Sequence, residues 1–292
     1  MMRHHLLLLF GVFTCSTAVI MINASTTHPF VLAALRLTFA SVLLAPLAWR
    51  ELGRHRGTFT NEHWRRTLLP ALVLALHFIS WSYGARMTIA AQASLVVNLA
   101  PAAIPFFLHW IVGERINRVE ILGTLIALAG VVLLSVRDAL AGGGDFWGNV
   151  VCFGSMLLFA WYLALGRKNR DFPSLWLYVV PVYAQAAVIC LLAAIPWLPT
   201  FAVHDSREWL LMLGLAVLPT IMGHSLLNAS MRHLRGQVVS LGNVGQFIFA
   251  GVMAWLLFGQ VPPVTFYGAS LLVVAGVALV VFAAPSAPPR LR

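Results

Sequence analysis

Apolar residues fall in long blocks along this chain, separated by short polar connections. No Asp, Glu, Lys or Arg occurs between Gly236 and Pro289, nor between Phe172 and Val203. An uncharged apolar run of about 18 residues or more reads as a membrane span, so blocks of this length are two spans joined by a short turn. The pattern predicts spans at Leu6–Asn23, Phe30–Trp49, Thr67–Tyr83, Ala91–Val112 and Val119–Val136. Five more follow at Phe146–Leu165, Ser174–Ile195, Trp209–Met231, Val238–Phe258 and Thr265–Ala283. The connections hold the breakers Pro29, Gly142–Gly144, Pro173, Pro199, Gly236 and Pro262–Pro263, and the tail from Pro285 to Arg292 is proline-rich.

Composition sharpens this reading. Of 292 residues, 60% are hydrophobic and 10% charged, with a mean hydropathy of +0.87. Soluble domains carry about 25% charged residues. A cytosolic enzyme and a disordered chain are both excluded, and ten spans of about 20 residues leave no room for a soluble domain. The expected fold class is an all-α polytopic membrane protein. The first apolar run, after Arg3, reads as a span and not as a cleaved leader. Cys15, Cys152 and Cys190 lie in apolar runs, with no CxxC pair, and read as small buried hydrophobes.

The net charge of +10 does not point to nucleic acid, because the basic residues lie in short loops. With the N-terminus inside, the inner segments hold 15 Lys and Arg and the outer ones 3, namely Arg86, Arg137 and Arg207. Basic loops stay cytoplasmic. Both termini are therefore expected in the cytoplasm of a bacterial inner membrane.

The chain also repeats itself. Ala129-Gly130-Val131 matches Ala275-Gly276-Val277 at an offset of 146, as does Gly113-Glu114 with Gly259-Gln260. Asn98 and Asn243 lie 145 apart, and His77 and His224 lie 147 apart. Five spans per half is an odd number, so the second half enters from the opposite side. This predicts ten transmembrane helices as two inverted five-helix repeats, 1–140 and 146–284. That architecture belongs to secondary transporters with a midplane substrate site.

The segment from His77 to Leu134 resembles the drug/metabolite transporter superfamily in its EamA-like branch. The likeness rests on Ala90-Ala91-Gln92-Ala93-Ser94, Asn98-Leu99-Ala100-Pro101, Gly113-Glu114-Arg115, Gly123 and Ala129-Gly130-Val131. In the second half it rests on Gly223-His224-Ser225-Leu226-Leu227-Asn228 and Ser240-Leu241. The resemblance covers about the whole chain. Two departures stand out: Gln260 where the family often has an acid, and Gln246 where the first half has Pro101. The branch includes drug and sugar-nucleotide carriers and amino acid exporters such as the YddG type. The resemblance implies efflux or exchange of a small polar metabolite.

Polar side chains inside a span are costly and face the bundle interior. The candidate substrate-binding residues are His77, Trp81, Asn98, Trp161, Tyr162, His224, Asn228, Asn243 and Gln246. His77 with Trp81, and His224 with Asn228, are spaced i, i+4 and share a helix face. Amides, imidazoles and indoles suit a zwitterionic or aromatic solute. Tyr178, Tyr183 and Gln185 are further candidates in the seventh span. Ser80, Ser94, Ser155 and Ser240 read as bonds between helices. Trp49, Trp64, Trp147, Trp197 and Trp209 sit at span ends and read as an interfacial belt. Arg36, one to two turns into the second span, either snorkels to the headgroups or faces a vestibule and draws an anion. Glu114 and Arg115 read as helix-end anchors.

No Asp or Glu falls mid-span, which favours facilitated export or exchange over obligate proton antiport, with only histidines able to take up a proton near neutrality. There is no GxSxG, HExxH or GxxxxGK motif, so neither a membrane-embedded enzyme nor an ATP-driven pump is expected. No cofactor and no metal are expected. The expected partners are a small-molecule substrate and membrane lipid; the oligomeric state is open.

Overall fold

The computed structural model describes residues 2–140, 144–200, 205–224, 226, 227 and 242–283. Every regular element among them is a helix. Hydrocarbon offers the backbone no water, so each N–H and C=O must find a partner inside the protein. Helices α1 (Met2–Ala24), α2 (Pro29–Arg54), α4 (Leu68–Gly84) and α7 (Arg118–Leu140) meet that demand in the first half. A short α3 (Asn61–Arg66) precedes α4. In the second half α8 (Gly144–Lys168), α9 (Leu175–Ala194), α10 (Ser206–Leu215), α11 (Gln246–Phe258) and α12 (Val264–Ala283) do the same.

Among the described residues, eight helical stretches are long and apolar enough to cross a membrane, and a shorter apolar one spans Gly242–Phe258. Parts of the expected eighth and ninth spans, residues 225 and 228–241, lie outside the described residues. Several helices outrun the apolar blocks that predict them. The α2 helix continues past Trp49 to Arg54, because Arg50, Glu51 and Leu52 are good helix formers and Glu51 pairs with Arg54 at 2.8 Å.

Two spans are not uniform. The expected fourth span divides into α5 (Ala90–Val97) and α6 (Ala100–Val112). Pro101 lacks the N–H that would bond the carbonyl four residues back, so the helix breaks at Asn98–Leu99. Following α10, the chain runs into a π-helical stretch, Ala216–Gly223, that contains Pro219. The Thr220 hydroxyl donates to the Leu215 carbonyl at 2.8 Å, in place of the N–H that Pro219 lacks.

The helices pair across the halves. The main partners are α7 with α12, α2 with α9, α4 with α8, α1 with α10 and its π-helical continuation, and α5 with α11. Exchanging the halves maps this pattern onto itself. The protein is a polytopic all-helical bundle of two repeated halves. Two left-handed glycines mark the repeat: Gly113 (φ 76°) ends α6 and Gly259 (φ 65°) ends α11. Gln260, the repeat counterpart of Glu114, accepts from the Ala90 N–H at 3.0 Å and so caps α5.

Lipid tails are as apolar as leucine, so helices associate through close packing of small residues. A Cβ on Gly123 would stand 2.6 Å from the Gly276 carbonyl oxygen, and one on Gly130 would stand 2.7 Å from that of Ala269. These glycines let α7 and α12 touch backbone to backbone. One end of the bundle is closed by Glu208, in the first turn of α10. Its buried carboxylate accepts from the Ser25 and Thr27 hydroxyls and the Thr26 N–H (2.5, 2.6 and 3.0 Å) in the α1–α2 turn. Burial works to raise its pKa, but these hydrogen bonds prevail and hold it at about 2. Arg86 donates to the carbonyls of Ile22 in α1 and Thr27 in the turn, and Arg207 to that of Ala24 at the end of α1. At the opposite end Arg66 clamps Asp171 through two bonds of 2.6 and 2.8 Å, and its guanidinium keeps that carboxyl below the ordinary range.

Gly276→Val is expected to destabilise the protein by about 1–3 kcal/mol, the cost of overpacking a tight contact. Gly154→Val, where a Cβ meets nothing within 4 Å, is expected to change it by less than about 0.5 kcal/mol. Thermal unfolding followed by size-exclusion chromatography checks the pair. Equal melting would show that α7 and α12 do not depend on this contact.

Candidate functional site

A cavity of 390 Å³ lies where the two halves meet. That falls in the roughly 300–1,000 Å³ range of small-molecule sites. Helical periodicity decides which side chains reach it. Helix α4 presents Leu74, His77, Phe78 and Trp81, and α8 presents Phe159, Tyr162, Leu163 and Gly166. Both sets follow the i, i+3, i+4, i+7 spacing of one helix face. Ser94, Asn98 and Pro101 come from the α5–α6 break, and Asn243 and Gln246 from the segment leading into α11. Arg36, Tyr178, Tyr183, Pro219 and His224 complete the polar and aromatic part of the wall.

The two repeat-related asparagines meet. The Asn243 side-chain amide donates to Asn98 Oδ1 at 3.1 Å, and Gln246 Nε2 donates to Asn243 Oδ1 at 2.6 Å. Asn98 in turn donates to the Ser94 carbonyl at 2.8 Å. The result is a chain of amides running from one broken span to the other. Gln246 stands where the first half has Pro101, and both sit at the first turn of a helix.

His77 is buried and joined to Ser155. Its Nδ1 lies 3.0 Å from the Ser155 carbonyl and 2.9 Å from its hydroxyl, which itself donates to the His77 carbonyl at 3.0 Å. A carbonyl can only accept, so in the neutral ring Nδ1 carries the proton and Nε2 is left as an acceptor. The ring stacks on Phe159 with centroids 4.9 Å apart. His224 lies across the same phenyl ring at 6.2 Å.

Of the residues expected from the sequence, the cavity gathers His77, Trp81, Asn98, Tyr162, His224, Asn243 and Gln246. Trp161 is a correction. Its indole stacks on Phe107 of α6 at 6.4 Å and is not part of the wall. One residue turns a helix by about 100°, so the face that carries Tyr162 aims Trp161 at a neighbouring helix. Gln185 also points away, bonding the Thr67 hydroxyl at 3.0 Å and the Trp64 carbonyl at 3.1 Å. Asn228, with Ser225 and Ser240, lies outside the described residues. Phe159 escaped the sequence reading, although its place three residues before Tyr162 put it on the same face. Arg36 does not snorkel: it is 3% exposed and faces the cavity.

The cavity lining extends to Arg167, which is exposed and bridges Glu114 at 2.8 Å. No Asp or Glu lines the cavity among the described residues. None of them forms a cluster of His, Cys, Asp or Glu able to hold a metal ion.

The family model described as the EamA-like transporter family matches residues 2–136 and 146–282. The chain is 26% identical to an uncharacterized transporter of Archaeoglobus fulgidus over 245 residues, 83% of each chain. It is 27% identical to the inner membrane protein YtfF of Escherichia coli, over 89% of each. It is 22% identical to the pseudopaline exporter CntI of Pseudomonas aeruginosa, over 88% of each. One solved crystal structure shares the fold with a TM-score of 0.65 and 21% identity, covering 95% of this chain and 96% of that one.

The bond between Asn98 and Asn243 predicts non-additivity. In a double-mutant cycle with Asn98→Ala and Asn243→Ala, unfolding by SDS titration should reveal a coupling of about 0.5–1.5 kcal/mol. Additivity within about 0.3 kcal/mol would mean that the two amides are independent.

Proposed function

The chain belongs to the EamA-like transporter family, and from that premise we propose that it exports small zwitterionic metabolites across the bacterial inner membrane. Amino acids with neutral or aromatic side chains are the first choice of substrate. The observation that carries this reading is the wall of the cavity: amides, imidazoles, aromatic faces and the buried guanidinium of Arg36, with no carboxylate among the described residues. Amides bond either end of a zwitterion without adding net charge, and aromatic faces attract an ammonium group or stack on an apolar side chain. Both termini are cytoplasmic in this reading, supported by the 15-to-3 division of Lys and Arg. The Arg167 end of the cavity is then the cytoplasmic end, the side from which an exported solute loads.

Transport proceeds by alternating access, with residues 1–140 rocking against 146–284 about the central cavity. The polar bonds at the two ends act as gates: Glu208 with the α1–α2 turn outside, Arg66–Asp171 and Arg167–Glu114 inside. The similar protein named as a pseudopaline exporter supports the direction of transport and leaves the amino acid class to experiment. With no acid among the described residues of the wall, the mode in this reading is facilitated export or exchange.

Proteoliposomes loaded with labelled amino acids, sugars and nucleotides test the substrate. Amino acid counterflow is expected, and it should persist when the proton gradient is collapsed. Phe159→Ala should weaken apparent affinity about 2- to 13-fold, the equivalent of an aromatic contact of ~0.5–1.5 kcal/mol. Trp161→Ala, outside the cavity, should leave affinity unchanged. Counterflow of sugars or nucleotides without amino acids would overturn the substrate class.

Orientation has its own check. The native cysteines are buried, so single introduced thiols report cleanly. In intact cells an impermeant maleimide should label Ser206→Cys and spare Thr58→Cys. The reverse pattern would invert the topology.

A further inference from the structure

Arg36 is a buried cation with no counter-ion among the described residues. It lies in α2, seven residues after Pro29, is 3% exposed and lines the cavity. Its Nε donates to the Thr220 hydroxyl oxygen at 2.7 Å, and its guanidinium carbon stands 4.2 Å from the centroid of the Phe78 ring. Its Nη1 is buried with no hydrogen-bond partner among the described residues. No Asp or Glu shares the wall with it among the described residues. A neutral hydroxyl and an aromatic face do not neutralise a guanidinium, and an unpaired charge removed from water costs several kcal/mol.

The local backbone holds the group in place. Pro219 has no N–H, so the Leu215 carbonyl takes the Thr220 hydroxyl proton at 2.8 Å. That bond turns the lone pairs of the same oxygen toward Arg36. Thr220 is itself 1% exposed. The guanidinium is thus fixed at Nε and over Phe78, with Nη1 left to pair with an oxyanion.

Resting on the export reading above, we propose that Arg36 is the subsite that binds the carboxylate of the transported solute. The class is small monocarboxylates, amino acids among them. One guanidinium balances one carboxylate. A doubly charged phosphate would leave a net negative charge beside Arg36, which has no second buried Lys or Arg next to it among the described residues of the wall, at the same kind of desolvation cost. The ammonium end of an amino acid would then lie toward Phe159, Tyr162 and the acceptor Nε2 of His77.

The test uses three probes of one shape: phenylacetate, L-phenylalanine and phenethylamine. Each is titrated against the purified full-length protein in nanodiscs, with ligand-induced thermal stabilisation as the readout at constant ionic strength. Wild type should bind both acids more tightly than the amine. Arg36→Met should weaken the acids roughly 10- to 100-fold, the range for hydrogen bonds to charged groups, while leaving the amine within about twofold. Arg36→Lys should fall between, because it keeps the charge and loses the planar fork. Where Arg36→Met does not fold, Thr220→Val carries the test. It should weaken the acids about threefold and spare the amine, as expected for loss of one orienting hydrogen bond. Equal affinity of wild type for acid and amine, or acid binding unchanged in these variants, overturns the subsite. Arg36-dependent binding of phenylacetate without amino acid counterflow would sink the substrate reading alone. Counterflow indifferent to Arg36 would sink the subsite alone.

Discussion

A backbone inside a bilayer must satisfy every polar group from within the protein. That demand makes this chain all-helical among its described residues, and it gives meaning to the few places where a helix is not regular. At Asn98–Leu99 and at Gly245 the helical run is interrupted, and amides of Asn98, Asn243 and Gln246 bond across the interruptions. At Pro219 the ladder loses a donor, and the Thr220 hydroxyl replaces it. All three irregularities border the same cavity. Irregular backbone is tolerated at this depth only where protein or a cavity surrounds it, so the breaks and the candidate site arise together.

The second requirement is close approach. Hydrophobicity cannot drive one helix against another in lipid, so the bundle relies on small residues that admit direct backbone contact. Gly123, Gly130 and Gly276 do this between α7 and α12, and Gly84 and Gly148 do it elsewhere. The α7–α12 pair, none of whose described residues lines the cavity, holds the periphery of the bundle. The central helices are lined instead by aromatic and amide side chains, which leave space between them. A tight rim around an open centre is the mechanical arrangement that two halves need if they are to rock about a bound solute.

Charge follows the same economy. Asp and Glu are kept to the ends: Glu208 is satisfied by the α1–α2 turn, and Glu120 by Asn117, whose N–H donates to it at 2.7 Å. Both would be costly at mid-depth. Against this background Arg36 stands apart, since its charge is buried beside the cavity and balanced by no carboxylate among the described residues there. The same charge that would be a defect in a purely structural helix has a physical use where an anionic group of a solute can reach it.

The fold was largely legible in the sequence, because its determinants are one-dimensional. Span length, uncharged runs and glycine at left-handed helix ends are all local, and the Gly113/Gly259 match already carried the repeat. Which side chain meets which was legible only where spacing sufficed. His77 and Trp81, one turn apart, do share the cavity wall. The pairing of Asn98 with Asn243 needed the two halves brought together, and the chain separates them by 145 residues. Trp161 and Arg36 were decided by rotation about a helix axis: a turn of about 100° separates a cavity residue from a packing one, and an apolar block has no polar face to reveal that rotation. Composition and local chemistry therefore determined that this chain crosses the membrane as a repeated helical bundle. The tertiary structure alone decided which face of each helix looks inward, because in lipid that choice is made by packing against neighbours and not by contact with water.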